Sequence, residues 1–291
     1  MSGVNKKANP NKELNTVSKS ENIWTKSENV RQQYSDDKNL SIRLRLHAKH
    51  SVNKQGFIPW LFEQYRFTGN DSVLELGCGS GGQWEGRFEQ LPCGCSLVLS
   101  DFSEGMVDVV KGKFSSHQSK HQSKIPIEFQ KIDIQDIPFE DESFNIVIAN
   151  YMLYHVPDLD KALSEVWRVL KPGGYFYSST SGNGGMQLYL HDVMKKFDPE
   201  TEAFMQELSF NLQNGGELLR QYFSSVERFD YKDSLAITET QDLIDWIKST
   251  TYISNCSEEN INELYEYFEA LRIKDGTINI PKEAGLFISV K

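Results

Sequence analysis

The sequence predicts an α/β fold: a doubly wound parallel sheet of seven strands with helices packed on its faces. Three observations carry this. Short apolar runs that read as strands alternate with helical stripes from Val73 onward. One run, Phe144-Asn145-Ile146-Val147-Ile148-Ala149, is almost continuously apolar, as in a strand buried on both faces. A Gly-rich loop, Gly77 to Gly82, follows the first strand, where such sheets hold ligands at the carboxyl ends of their strands.

The elements follow in order. Residues 1–22 are polar and lysine-rich and predict a disordered N-terminus without a signal peptide. Residues 23–69 predict a helical cap. Leu40, Ile42, Leu44 and Leu46 lie among Arg43, Arg45 and His47, and Phe57, Trp60, Leu61 and Phe62 form an apolar face before the Gly69-Asn70 turn. Val73 to Leu76 is the first strand, and a short helix is expected between the glycine loop and Pro92. Ser96 to Ser100 is the second strand, with Asp101 at its end, and Glu104 to Lys113 reads as helix. Residues 117–124 repeat His-Gln-Ser-Lys twice and read as a solvated loop. His117 and His121 are four apart, but no carboxylate or thiol completes a metal site.

Ile127 to Ile132 is the third strand and Phe144 to Ala149 the fourth. Leu159, Leu163, Val166 and Leu170 form one stripe of a helix, which Lys171-Pro172-Gly173-Gly174 stops. Tyr175 to Ser179 is the fifth strand. Residues 181–223 predict a lid-like helical insertion over the crevice. Val226 to Tyr231 and Gly285 to Val290 complete the seven strands, and Ile261, Leu264, Tyr265, Phe268 and Leu271 mark a helix capped by Ser257. Residues 23–291 are thus expected to form a single domain.

The 291 residues are 38% hydrophobic and 25% charged, a globular composition. No apolar run approaches the ~20 residues of a membrane-spanning helix. Lys and Arg number 31 against 41 Asp and Glu, a net charge of -10. That balance argues against a broad nucleic-acid footprint, which needs clustered cations. Cys78, Cys93, Cys95 and Cys256 are too few for a disulfide framework and lack zinc spacing, so reduced thiols and a cytoplasmic location are expected. The oligomeric state is not legible at this level.

Gly77, Gly79 and Gly81 give G-x-G-x-G, while Gly77, Gly79 and Gly82 also fit the dinucleotide pattern G-x-G-x-x-G. Asp101 suits ribose hydroxyls in either class of cofactor. Glu75 discriminates. A carboxylate two residues before the loop suits a ligand with a cationic ammonium or sulfonium rather than a pyrophosphate.

The motif series is specific. Glu75-Leu76-Gly77-Cys78-Gly79-Ser80-Gly81 resembles the first motif of the class I S-adenosylmethionine-dependent methyltransferases. Asp133-Ile134-Gln135-Asp136-Ile137-Pro138-Phe139 resembles their D-x-x-x-L-P-F segment. Ser143 to Val147 resembles S-F-D-x-V, with Asn145 in place of Asp. Asn150 to Val156 and Arg168 to Gly174 complete the series over residues 71–180, most like the small-molecule branch that includes ubiquinone and menaquinone biosynthesis enzymes.

The resemblance implies a Rossmann-like methyltransferase sheet with S-adenosyl-L-methionine as cofactor. Glu75 would lie near the methionine end, with the backbone of Gly77, Cys78 and Gly79 beside it. Asp101 would hold the ribose, Phe102 and Met106 would flank the adenine, and Asp133 and Ile134 would edge it. The Asn150 carbonyl would accept from the cofactor's ammonium, and Tyr151 would line the methyl side. Tyr34 and Arg45 lie on cap helices, where Arg45 is placed to pair with a carboxylate.

Methyl transfer from a sulfonium is an in-line displacement and depends mainly on positioning. His155, after the fourth strand, is the candidate general base, since imidazoles ordinarily titrate near ~6.5. No N/D-P-P-Y segment follows the fourth strand, which with the acidity favours a small-molecule acceptor of methyl on oxygen, nitrogen or carbon. A protein or tRNA methyltransferase and a non-catalytic cofactor-binding protein are the alternatives.

Overall fold

The computed structural model describes residues 38–120, 125–205, 208–250 and 256–291. The N-terminal segment 1–22, Tyr34 and the second His-Gln-Ser-Lys copy lie outside them. The strands are β1 (Ser72–Leu76), β2 (Ser96–Asp101), β3 (Ile127–Lys131), β4 (Phe144–Asn150), β5 (Leu170–Ser181), β6 (Ser225–Tyr231), β7 (Ser234–Ile237), β8 (Ile278–Pro281) and β9 (Ala284–Val290). The helices are α1 (Lys38–His50), α2 (Phe57–Gln64), α3 (Glu104–Lys120), α4 (Leu159–Val169), α5 (Met186–Met194), α6 (Gly215–Leu219), α7 (Thr240–Lys248) and α8 (Glu258–Asp275).

Seven strands form one sheet in the order β3-β2-β1-β4-β5-β9-β6. The sheet reverses direction of growth at β1, which opens a crevice between the carboxyl ends of β1 and β4. Burial follows strand alternation. Ile146 and Ile148 of β4 pack into one core with Val73, Leu97 and Tyr177, and Val147 and Ala149 pack into the opposite core with Leu74, Leu76 and Phe176. β4 is therefore buried on both faces, as its apolar run predicts. Helix α4 covers the second face through Leu163 and Val166, with Asp158 capping it by accepting from Lys161 N–H at 3.0 Å.

The structure corrects three expectations. The sheet is mixed rather than parallel, because β9 runs antiparallel to both β5 and β6. The chain leaves β6 at the crevice end, builds β7, α7, α8 and β8 there, and must re-enter the sheet from that end. The expected helix after the glycine loop is a series of turns closing in the 3-10 turn Phe88–Gln90. Gly86 at φ 70° breaks any regular helix there. Helix α3 runs on to Lys120, through the first His-Gln-Ser-Lys copy. Leu190 and Met194 of α5 share a core with Leu46 of α1, Leu235, Ile244, Leu264, Phe268 and Ile280, assembled from segments far apart in sequence. Helix α8 is capped by Ser257, whose hydroxyl accepts from Asn260 N–H in a capping box.

The cap is tied to its neighbours by polar contacts. His50 Nε2 lies 2.8 Å from Asp242, and Val52 N–H donates to Ser234 O at 2.9 Å. At its other end α1 meets the crevice, since a Cβ on Gly79 would lie 3.6 Å from Leu40. None of the four cysteines is in a disulfide. No helix among the described residues is long and apolar enough to cross a membrane.

Candidate active site

The glycine loop leaves β1 in left-handed conformations, with φ of 72° at Gly77, 53° at Gly79 and 71° at Gly81. Two of these glycines are also demanded by space. A Cβ on Gly77 would lie 2.9 Å from Met152, and one on Gly81 would lie 2.5 Å from Phe114. Neighbouring strands pin the loop: Cys78 N–H donates to Ser100 O at 2.8 Å and Gly79 N–H donates to Asp101 Oδ2 at 3.0 Å. Asp101 Oδ1 accepts from Ser103 N–H at 2.9 Å, so one carboxylate fastens both the loop and the start of α3. Burial pushes the Asp101 carboxyl above its usual range, against those backbone donors.

Glu75 is 3% exposed, and its Oε2 accepts from the indole N–H of fully buried Trp84 at 2.5 Å. Burial pushes its pKa up to about 7. The indole bond works against the shift and the charge of Asp101 adds to it. Burial, Glu75 and Asp101 likewise hold the Cys78 thiol well up, so it is no nucleophile at neutral pH.

A second polar cluster stands at the end of β4. Asn150 Nδ2 donates to the Tyr65 hydroxyl at 2.9 Å and to Gln83 Oε1, and Asn150 Oδ1 accepts from Ser179 Oγ at 2.8 Å. Tyr65 OH donates to the same Gln83 oxygen at 3.0 Å, while Gln83 Nε2 is buried without an acceptor. Tyr151 follows at φ 52°, its N–H donating to Ser179 O at 2.9 Å. Its ring meets Phe57 edge-on at 5.4 Å, and Phe57 and Trp60 each contact Tyr231 at 5.2 Å. Since β5 and β6 both pair antiparallel with β9, Tyr231 reaches the same end of the sheet as Asn150. An aromatic wall thus runs from β4 to β6 beneath α2.

His155 ends the 3-10 turn Leu153–His155 that follows Tyr151, half-buried, its ring tilted on Tyr154 at 4.5 Å. Asp133 lies just past β3, held near β2 by the Ile132 N–H bond to Asp101 O at 3.1 Å. Its Oδ1 accepts from Gln135 N–H at 2.9 Å. Phe102 is half-buried beside Asp101.

Residues 74–178 match the model of the methyltransferase domain family. The span runs from β1 to β5 and holds every expected site residue except Tyr34 and Arg45. Residues 74–178 are a methyltransferase domain.

The demethylmenaquinone methyltransferase of Lactococcus lactis subsp. lactis is 37% identical over 103 residues, 35% of this chain and 39% of that protein. The phosphoethanolamine N-methyltransferase 2 of Haemonchus contortus, solved in complex with S-adenosyl-L-methionine, has a TM-score of 0.53 at 20% identity, covering 90% of this chain and 58% of that one. The [4+2]-cyclase SpnF has a TM-score of 0.57 at 15% identity, covering 91% and 96%. These two structures show the fold. The chain spans about two fifths to half the length of the first curated relatives it matches.

Within the methyltransferase domain the structure brings Glu75, Gly77, Cys78, Gly79 and Asp101 together around one loop, with Asn150 and Tyr151 at the next strand end. Other expected residues are packed into the core or turned outward. Met106 is 1% exposed, and Ile134 packs in the core with Ile132, Ile137 and Phe144. Arg45 faces outward on α1, 58% exposed and 3.6 Å from Asp245, so its charge is spent on a surface pair. Sequence reading missed Tyr65, Gln83, Trp84 and Ser179. Gln83-Trp84 directly after the loop was a legible signal. Tyr65 and Ser179 carried none, because only the fold brings them to Asn150.

Proposed function

We propose that the chain transfers a methyl group from S-adenosyl-L-methionine to an oxygen, nitrogen or carbon of a small-molecule acceptor. The observation that carries this is the glycine loop clamped by Asp101 within a matched methyltransferase domain, two residues past a buried carboxylate, Glu75. The residues fit such a cofactor. Glycines stripped of side chains let a ligand approach the backbone, and Gln83 Nε2 is a buried donor without an acceptor. When bound, the cofactor supplies an electrophilic methyl on a sulfonium.

This chain's own residues do the rest. Asp101 keeps lone pairs for ribose hydroxyls while its backbone donors hold it in place. Phe102, Met106, Asp133 and Ile134 bound the adenine side, and the Asn150 carbonyl and Glu75 face the ammonium. Tyr151, Phe57, Trp60 and Tyr231 exclude water beside the methyl, and their ring faces favour a cation there. An acceptor lying on this wall would meet His155 as base. Relatives named for menaquinone and sterol methylation support a small acceptor, and the net charge of -10 supports one other than nucleic acid. Four free thiols suit a cytoplasmic location.

Titration calorimetry tests the reading. S-adenosylmethionine and S-adenosylhomocysteine should bind and NAD should not; the reverse pattern overturns it. Formation of S-adenosylhomocysteine with a panel of small acceptors separates the enzyme from a mere binder. Within that assay Asp101→Ala should weaken cofactor binding by ~1.5–3 kcal/mol, the loss expected for hydrogen bonds to a charged group. Asp101→Asn, which keeps an acceptor for Gly79 N–H, should recover part of it. Unchanged affinity in a folded Asp101→Ala protein removes Asp101 from the site.

A further inference from the structure

The Gln83 amide is satisfied on one side only. Its oxygen accepts from Tyr65 OH and from Asn150 Nδ2, which fixes the plane of the amide and aims Nε2 away from both. The residue is 7% exposed, and Nε2 reaches neither protein acceptor nor solvent. Buried N–H groups are paired in native proteins, so an orphan among groups that are otherwise all bonded marks the place of an absent acceptor. Its location is defined. Asn150 ends β4, and Trp84, the next residue in the chain, holds Glu75 near the end of β1. The orphan donor therefore belongs to the crevice between these two strand ends.

We propose that Gln83 Nε2 donates to the carboxylate of the cofactor's methionine moiety, and that Tyr65 and Asn150 are the positioning residues that aim it. The proposal rests on the S-adenosylmethionine reading above. The chemistry selects the carboxylate. Nε2 is a donor and needs an acceptor, whereas the ammonium is itself a donor and the sulfonium is cationic. Ribose oxygens belong to Asp101, one strand further away. Glu75 and Asp101 make this end of the crevice anionic and attract the ammonium. A neutral amide donor then receives the carboxylate without drawing either acid into an ion pair. The network also links cofactor to cap, because Tyr65 directly follows α2, whose Phe57 and Trp60 build the aromatic wall.

The test compares two ligands by calorimetry at pH 8. S-adenosylhomocysteine carries the amino-acid moiety, and 5′-methylthioadenosine has the same adenosine and sulfur without it. Gln83→Glu keeps an oxygen for Tyr65 and Asn150 and replaces the donor by an acceptor. It should weaken S-adenosylhomocysteine by ~10–150-fold, the range for a hydrogen bond to a charged group, and leave 5′-methylthioadenosine within ~2-fold. Equal loss for both ligands, or no loss for either, overturns the proposal. Should Gln83→Glu melt early, Gln83→Leu carries the same comparison without a buried charge and with the same expected selectivity. If the wild-type protein binds neither ligand, it is the cofactor reading that fails, not the role of Gln83 alone.

Discussion

Glu75→Gln should stabilise the protein at pH 8 relative to wild type by ~3 kcal/mol more than it does at pH 4. The effect follows from a carboxyl whose pKa is pushed up to about 7 by burial, against about 4.5 when unfolded. A carboxyl with a raised folded pKa binds its proton more tightly in the native state. Below pH 4.5 both states are protonated and no penalty exists. Between 4.5 and 7 the unfolded chain releases its proton first, so the native state loses relative stability as pH rises. Above 7 the penalty is complete and constant. Gln cannot ionise, keeps an oxygen for the Trp84 indole, and so removes the slope. Asp101, Cys78 and Tyr65 lie close enough to feel the same carboxyl and are present in both proteins, so the difference between the two curves reads Glu75. Urea melts of both proteins from pH 4 to 8 read the difference; parallel curves would show that Glu75 is not the buried acid. The same carboxyl predicts a ligand effect. A cationic ammonium beside Glu75 lowers its pKa, so cofactor binding near pH 6.5 should release protons, seen as a dependence of binding heat on buffer ionisation in wild type and lost in Glu75→Gln.

How much of this was legible beforehand depended on the range of the interaction. The alternation of Ile146 to Ala149 and the stripe Leu163-Val166 encode burial locally, so β4 and α4 could be read directly. The glycine loop was legible for the same reason: left-handed turns at Gly77 and Gly81 need glycine whatever surrounds them. The direction of β9 was not, because Ala284 to Val290 has the same alternation in either orientation. What reverses it is the site at which the chain leaves Tyr231. The second core was hidden too, since Leu46, Leu190, Ile244 and Phe268 are each a plain amphipathic position until the fold collects them. In the site, motif residues were found and their partners were not. Glu75 was readable as an anion before the loop, but its protonation depends on Trp84 and on burial. Arg45 shows the converse: a cation on a cap helix looks available until Asp245 of α7 arrives from 200 residues away.

His155→Ala should lower kcat by ~10²–10⁴, the usual contribution of a positioned general base, if the acceptor must lose a proton. The structural basis is its place in the 3-10 turn that follows Tyr151, past the end of β4. The backbone there is held: Tyr151 N–H bonds Ser179 O, and His155 N–H donates to Met152 O at 2.9 Å. Met152 in turn packs on the Gly77 backbone, so a shift of the glycine loop and a shift of His155 are mechanically linked. Cofactor affinity should barely change in His155→Ala, because Asp101, Gln83 and Glu75 are untouched. The decisive readout is the pH profile. Imidazole loses its capacity as a base as it is protonated, so wild-type kcat should fall from pH 8 to pH 6 while the residual rate of the variant stays level. The Tyr154 contact supplies the competing account. A ring that only packs at 4.5 Å on Tyr154 would, when removed, lower the melting temperature and leave kcat and its pH dependence as they were. His155→Gln separates the two, since it retains most of the volume and hydrogen-bonding capacity but cannot take a proton at neutral pH. A rate restored by Gln means that His155 orients the turn, and a rate that stays low with normal melting means that it carries the proton.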